Sequence, residues 1–129
     1  MTATADQISA TIARYMKVFT DGDKDGYVGT FAPDATVEDP VGSGVRRGSA
    51  EIAEFWELTR SLSPSITLVP VGSPRIAGGE GAFAMQAIAE VGDAKMVVDI
   101  IDVMSFDDDG RITSMRAYWD PGEMRPYEG

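Results

Sequence analysis

Residues 92–119, GDAKMVVDIIDVMSFDDDGRITSMRAYW, carry two turn signals with a long apolar-rich segment between them. Gly92-Asp93 and Asp109-Gly110 are dipeptides that reverse a chain between antiparallel strands. In the segment between them a period of two places Met96, Val98, Ile100, Asp102, Met104 and Phe106 on one face. Every member of that row is apolar except Asp102. The opposite row, Lys95, Val97, Asp99, Ile101, Val103 and Ser105, mixes charge with apolar side chains as a partly hydrated face does.

Alternating segments also occur near Ser65 to Val71, Ala82 to Glu90 and Arg111 to Trp119, so the second half of the chain reads as a curled antiparallel sheet. The first half has a different period. Thr4 followed by Gln7 fits a capping box, and Ile8, Ile12, Tyr15, Met16 and Phe19 recur at helical spacing until Gly22. Asp23 caps a second helix expected from Lys24 to Phe31, with Pro33 ending it. Ala35 to Glu38 reads as a short strand that runs into Asp39-Pro40. Ser49 opens a third helix, with Ile52, Phe55, Trp56 and Thr59 on one face and Pro64 beyond its end. Helices first and hairpin-linked strands afterwards define an α+β class: a cone-shaped, curved antiparallel (mixed) sheet wrapped around three N-terminal helices. The mouth of such a cone can hold a ligand.

The 129 residues are 43% hydrophobic, with no internal repeat or low-complexity tract, so one domain spanning residues 1–129 is expected. Eleven basic against 21 acidic residues give a formal charge of −10, and such a surface repels nucleic-acid phosphates and anionic lipid headgroups. Nucleic acid and membrane are therefore not expected as partners. No apolar run approaches the ~20 residues that span a bilayer, and the N-terminus lacks a signal core, which makes the cytoplasm the expected location. The chain has no Cys and no His, which removes a thiol nucleophile, an imidazole base and the usual nitrogen-and-sulfur zinc site. Acid-base chemistry falls to Asp, Glu, Tyr or Lys, and neither a metal nor a cofactor is expected.

Three residues stand out. Asp102 in its apolar row loses hydration, which disfavours the charged carboxylate and lets a protonated acid donate a hydrogen bond. Two structural alternatives compete with that reading: a bulge that turns Asp102 to solvent, or an ion pair with Arg116 on the next strand. Tyr15 brings a hydroxyl onto the apolar face of the first helix, where a core tyrosine with a satisfied hydroxyl is the plainer reading. Asp39 precedes proline, a common turn arrangement that needs no chemical role. Together the three offer a base for a carbon-bound proton and two neutral donors for the oxygen of the resulting enolate.

These residues lie in stretches that resemble the ketosteroid isomerase (steroid Δ5-isomerase) family, within the nuclear transport factor 2-like, SnoaL-like superfamily. The matching stretches are ARYMKVFTDGDKDG, FAPDATVEDPVGSGVRRGSAEIAEFW and SMRAYW, of which ATVEDPVGS followed by RRGSAEI is the most specific. The resemblance implies conversion of 3-oxo-Δ5-steroids to 3-oxo-Δ4-steroids, with Asp39 as base and Tyr15 plus protonated Asp102 as the oxyanion hole. A neutral aspartic acid in the oxyanion hole is an established feature of this family, so the raised pKa of Asp102 is an expectation carried over with the resemblance. It further implies Trp119 in the steroid pocket, with Phe31, Phe55, Trp56, Phe83, Met85, Val98 and Met115 as neighbours, and a homodimer through the outer sheet face. Phe31 and Trp56 stand where well-known members carry tyrosines that support the oxyanion-hole phenol. Two other readings share the fold: a SnoaL-like cyclase or dehydratase, and a non-catalytic module that binds a hydrophobic small molecule.

Overall fold

The computed structural model describes residues 2–129. Helix α1 (Ala5–Asp21) opens with the expected capping box, in which the Gln7 N–H donates to Thr4 Oγ1 at 3.1 Å and the Thr4 N–H to Gln7 Oε1 at 2.8 Å. Its apolar stripe is buried from Ile8 to Phe19, and Gly22 closes the helix. Asp23 caps helix α2 (Lys24–Gly29) through the Gly26 N–H. Here the expectation is corrected: α2 stops at Gly29, and Phe31 begins strand β1 (Phe31–Glu38), which runs through Pro33. The long-range ladder outweighs a short helix weakened by two interior glycines, because Phe31 pairs with Ile112 and the Ile112 N–H donates to the Thr30 carbonyl. Pro33 is tolerated because it falls in the irregular stretch between Phe31 and Thr36, where the ladder shifts register.

Strand β2 (Arg46–Arg47) pairs with β1 and leads into helix α3 (Gly48–Leu62), whose inward face carries Ile52, Phe55 and Trp56. Four long strands follow: β3 (Ile66–Ala77), β4 (Glu80–Val91), β5 (Ala94–Phe106) and β6 (Ile112–Tyr118). Gly92-Asp93 and Asp109-Gly110 sit at the β4–β5 and β5–β6 turns as expected. β3 extends six residues beyond the expected end at Val71, through Pro74 to a turn at Gly78-Gly79. Proline is compatible with this strand because β3 lies at the sheet edge and bulges between Val71 and Arg75.

The strand order is β2-β1-β6-β5-β4-β3. β1 and β6 run parallel and the remaining long pairs antiparallel, so the sheet is mixed. It curves without closing and holds the helices in its concavity, α1 against β3 and α3 against β1. Ile8, Val37, Ile52, Met104, Ile112 and Met115 meet at the centre of the core. The C-terminal segment forms a 3-10 turn (Pro121–Glu123) and a short strand β7 (Arg125–Pro126) on β5. That pairing covers Val97, which is buried although it belongs to the outer row. No described helix is long and apolar enough to cross a membrane.

Candidate active site

Asp102 follows the alternation of β5: Val98, Ile100, Asp102 and Met104 are all buried. In the ladder it lies between Phe83 and Ala117, and the bulge in the β5–β6 pairing falls beyond it, between Ser105 and Phe106. Arg116 lies across from Val103 on the other face, where it donates to Glu38 Oε1 at 3.0 Å and lies over the Tyr118 ring. Both structural alternatives for Asp102 are thereby removed. Its carboxyl oxygens are fully buried with no hydrogen-bond partner. Burial, followed by the nearby charge of Asp39, raises its pKa well above the usual carboxylate range and so favours the neutral acid.

Tyr15 is buried on the inward stripe of α1 and lines a cavity of about 480 Å³ between the helices and the sheet. Burial raises the phenol pKa well above its ordinary value, and any charge on Asp102 would raise it further, which keeps the hydroxyl a donor. Asp39, at the end of β1, stands on the wall of the same cavity. It is half-buried, open towards the cavity yet deep enough that loss of hydration raises its pKa. Two contributions oppose that rise: a hydrogen bond from Trp119 Nε1 at 2.6 Å and the positive charge of Arg46. The wall therefore holds one carboxylate kept accessible to ionisation beside a neutral phenol. Asp102 has no surface on that wall. It is buried two residues along β5 from Ile100, which does line the cavity, and contact with a ligand requires a shift of the side chains that cover it.

The remaining residues expected at the pocket divide evenly. Phe55, Met85, Val98 and Trp119 line the cavity. Phe31, Trp56, Phe83 and Met115 pack into the core instead. Phe31 and Trp56 are held there by Tyr27, whose ring centroid lies 5.2 Å from each of them. Spacing alone places Tyr27 only on the inward side of α2. Its ring is 5.7 Å from that of Tyr15, and its hydroxyl is buried without a hydrogen-bond partner. A phenol thus packs against Phe31 and Trp56, the two positions at which the resemblance implies supporting tyrosines. Burial, followed by the charge of Asp39, raises its pKa well above the ordinary value. Arg46 is the other residue that sequence reasoning misses. It lines the cavity with its guanidinium 4.6 Å from the centre of the Phe55 ring, and its Nη1 is buried without a hydrogen-bond partner. The only sequence signal is a basic pair shortly after the strand that leads to Asp39. Among the described residues, no group of three or more His, Cys, Asp and Glu side chains has the arrangement of a metal site.

A carboxylate and a phenol on the wall of an apolar cavity, within a cone of three helices and a curved sheet, define a class. Residues 12–115 match the SnoaL-like domain model, and the chain belongs to that family. Over 118 residues it is 42% identical to the Steroid Delta-isomerase of Nocardioides simplex, covering 92% of this chain and 94% of that protein. Likeness of that extent makes the chain an isomerase. Among solved structures it is similar to an epoxide hydrolase/cyclase-like enzyme with a role in pyran ring formation in the polyether salinomycin, with a TM-score of 0.85 and 26% identity. That match covers 95% of this chain and 97% of the other.

Proposed function

We propose that the chain is a steroid Δ5-isomerase that converts 3-oxo-Δ5-steroids to 3-oxo-Δ4-steroids. The observation that carries this reading is the ionisable carboxyl of Asp39 on the wall of an apolar cavity, oriented by the Trp119 N–H and sharing that wall with the Tyr15 phenol. Asp39 removes a proton from C4, where the carbanion is conjugated with both the C3 ketone and the C5–C6 double bond. Negative charge then develops on the C3 oxygen as a dienolate. Tyr15 donates to that oxygen, and Asp102, once uncovered, supplies a second neutral donor. Fixed donors in a dry site stabilise such charge without reorganising, which lets a weak base take a carbon-bound proton. The carboxylic acid formed at Asp39 returns the proton at C6 and leaves the conjugated enone.

The test is absorbance of the new enone when 5-androstene-3,17-dione is added to the wild type and to Asp39→Asn. Loss of at least about 10²-fold in kcat/KM on substitution supports the reading. Retained turnover removes Asp39 from the mechanism, and no conversion by folded wild type removes the activity.

A second reading is a cyclase or dehydratase on the same cone, supported by the structural likeness to the cyclase-like enzyme. Oligomeric state is also part of the proposal: the outer sheet face carries exposed Val71, Ile101 and Tyr118 around a shallow groove, a surface suited to pairing with a second copy.

A further inference from the structure

Two apolar tracks run out of the cavity from the core to the protein surface, and their outer ends lie outside the core cluster. The first follows one stripe of α3 at helical spacing, Phe55, Leu58 and Leu62, whose exposure rises from 6% to 44% to 73%. The second follows one face of β4 at a period of two, Met85, Ala87, Ala89 and Val91, and rises from 3% to 50% between its ends. All seven residues line the cavity. Leu58, Leu62 and Val91 lie outside the core cluster, and Leu62 is the most exposed large hydrophobic residue among those described.

The composition of these tracks is informative because the rest of α3 obeys the usual rule, with Ile52 and Trp56 inward and Glu51, Glu54 and Glu57 in solvent. Apolar side chains are kept at the rim where charged ones would favour solubility, and they converge there from two elements distant in sequence. The two alanines midway along β4 leave space beside the strand rather than fill it. Length decides what the tracks can hold. Six residue steps along β4 cover about 20 Å, more than the long axis of a four-ring steroid nucleus. With the ketone at the buried end beside Tyr15, the nucleus occupies the inner part and the rim remains for whatever extends from the far ring.

We propose that the substrate is a 3-oxo-Δ5-steroid that retains an aliphatic side chain at C17, and that Leu58, Leu62 and Val91 hold that chain at the mouth. This inference rests on the isomerase reading and narrows its substrate class. An upstream reaction that oxidises a 3-hydroxy-Δ5-sterol with its side chain intact would supply such a substrate.

The experiment compares three 3-oxo-Δ5-steroids that carry at C17 a ketone, a two-carbon acetyl group or a branched eight-carbon chain, each held in solution by the same carrier. The expected result is a kcat/KM that rises with chain length, by about tenfold or more from the ketone to the long chain. Leu62→Asp, a change at an exposed position, should lower the long-to-short ratio by a similar factor. A ratio near one in the wild type, or a ratio untouched by the substitution, overturns the proposal and assigns the rim to another occupant such as a second copy of the chain. Binding of the three unreactive Δ4-ketones, read by quenching of tryptophan fluorescence, separates the two levels. Tighter binding of the long chain without turnover of any Δ5-ketone would keep the rim as a side-chain site and remove the isomerase. Turnover of the short ketone without any preference for the long chain would do the reverse.

Discussion

Trp119 donates its indole N–H to Oδ1 of Asp39 at 2.6 Å, across 80 residues of chain. The contact follows from topology. β1 and β6 run parallel with Glu38 opposite Arg116, so their ends emerge on the same edge of the sheet, and the Val41 N–H ties the next turn to the Ala117 carbonyl. The hydrogen bond favours the charged carboxylate against the burial that disfavours it.

Trp119→Phe removes that donor while it keeps an aromatic ring in the wall. The pKa of Asp39 then moves up, and because the base must be ionised to work, the acidic limb of the pH profile of kcat/KM moves to higher pH. A limb that stays in place, or moves down, would show that the indole does not set the state of the base.

Burial raises the pKa of Asp102 in the folded chain well above the value of about 3.9 at which an unfolded aspartate ionises. In the interval between the unfolded and folded pKa values, unfolding releases a proton, so rising pH destabilises the wild type by about 1.4 kcal/mol per pH unit from this group. The stabilising contribution is complete below the unfolded pKa and is lost as pH climbs towards the folded one. Asp102→Asn ionises in neither state. Its stability relative to wild type should therefore increase with pH above about 4, as measured by urea unfolding at a series of pH values. A difference independent of pH would contradict a neutral Asp102.

Tyr27 buries a hydroxyl that has no hydrogen-bond partner, a costly arrangement. Tyr27→Phe keeps the ring contacts to Tyr15, Phe31 and Trp56 and should stabilise the fold by about 1 kcal/mol. Destabilisation of similar size in a thermal melt would show that the hydroxyl finds a partner in solution.

Ile101 is exposed beside Val71 and Tyr118 on the outer sheet face, and Ile101→Asp places a charge in the middle of that patch. Sedimentation at micromolar concentration should show a dimer for the wild type and a monomer for the variant. A monomeric wild type ends the idea.

Much of this arrangement is legible in the chain because periodicity is a local property. The inward stripe of α1 and the inward row of β5 can be read from spacing, and that row already contains Asp102. The end of α2 cannot, because Phe31 is claimed by a strand 81 residues away, as its pairing with Ile112 shows. β3 reads too short in the sequence because Pro70, Gly72 and Pro74 look like a loop until the strand is known to lie at an edge. Of the aromatic residues expected in the pocket, spacing says that they point inward but not whether inward means cavity or core.

The amino-acid sequence by itself determined the α+β class, the family, the absence of thiol and imidazole chemistry, and an aspartate committed to an apolar face. These are matters of composition and of which residues share a side of their own helix or strand. Only the tertiary structure decided that Trp119 meets Asp39, that Arg116 turns away from Asp102, that Tyr27 packs against Tyr15, and that Leu62 and Val91 share one rim. Each of those depends on how separate elements meet, through strand register, parallel pairing and sheet curvature, and such geometry is set by the packing of the whole core rather than by any one segment.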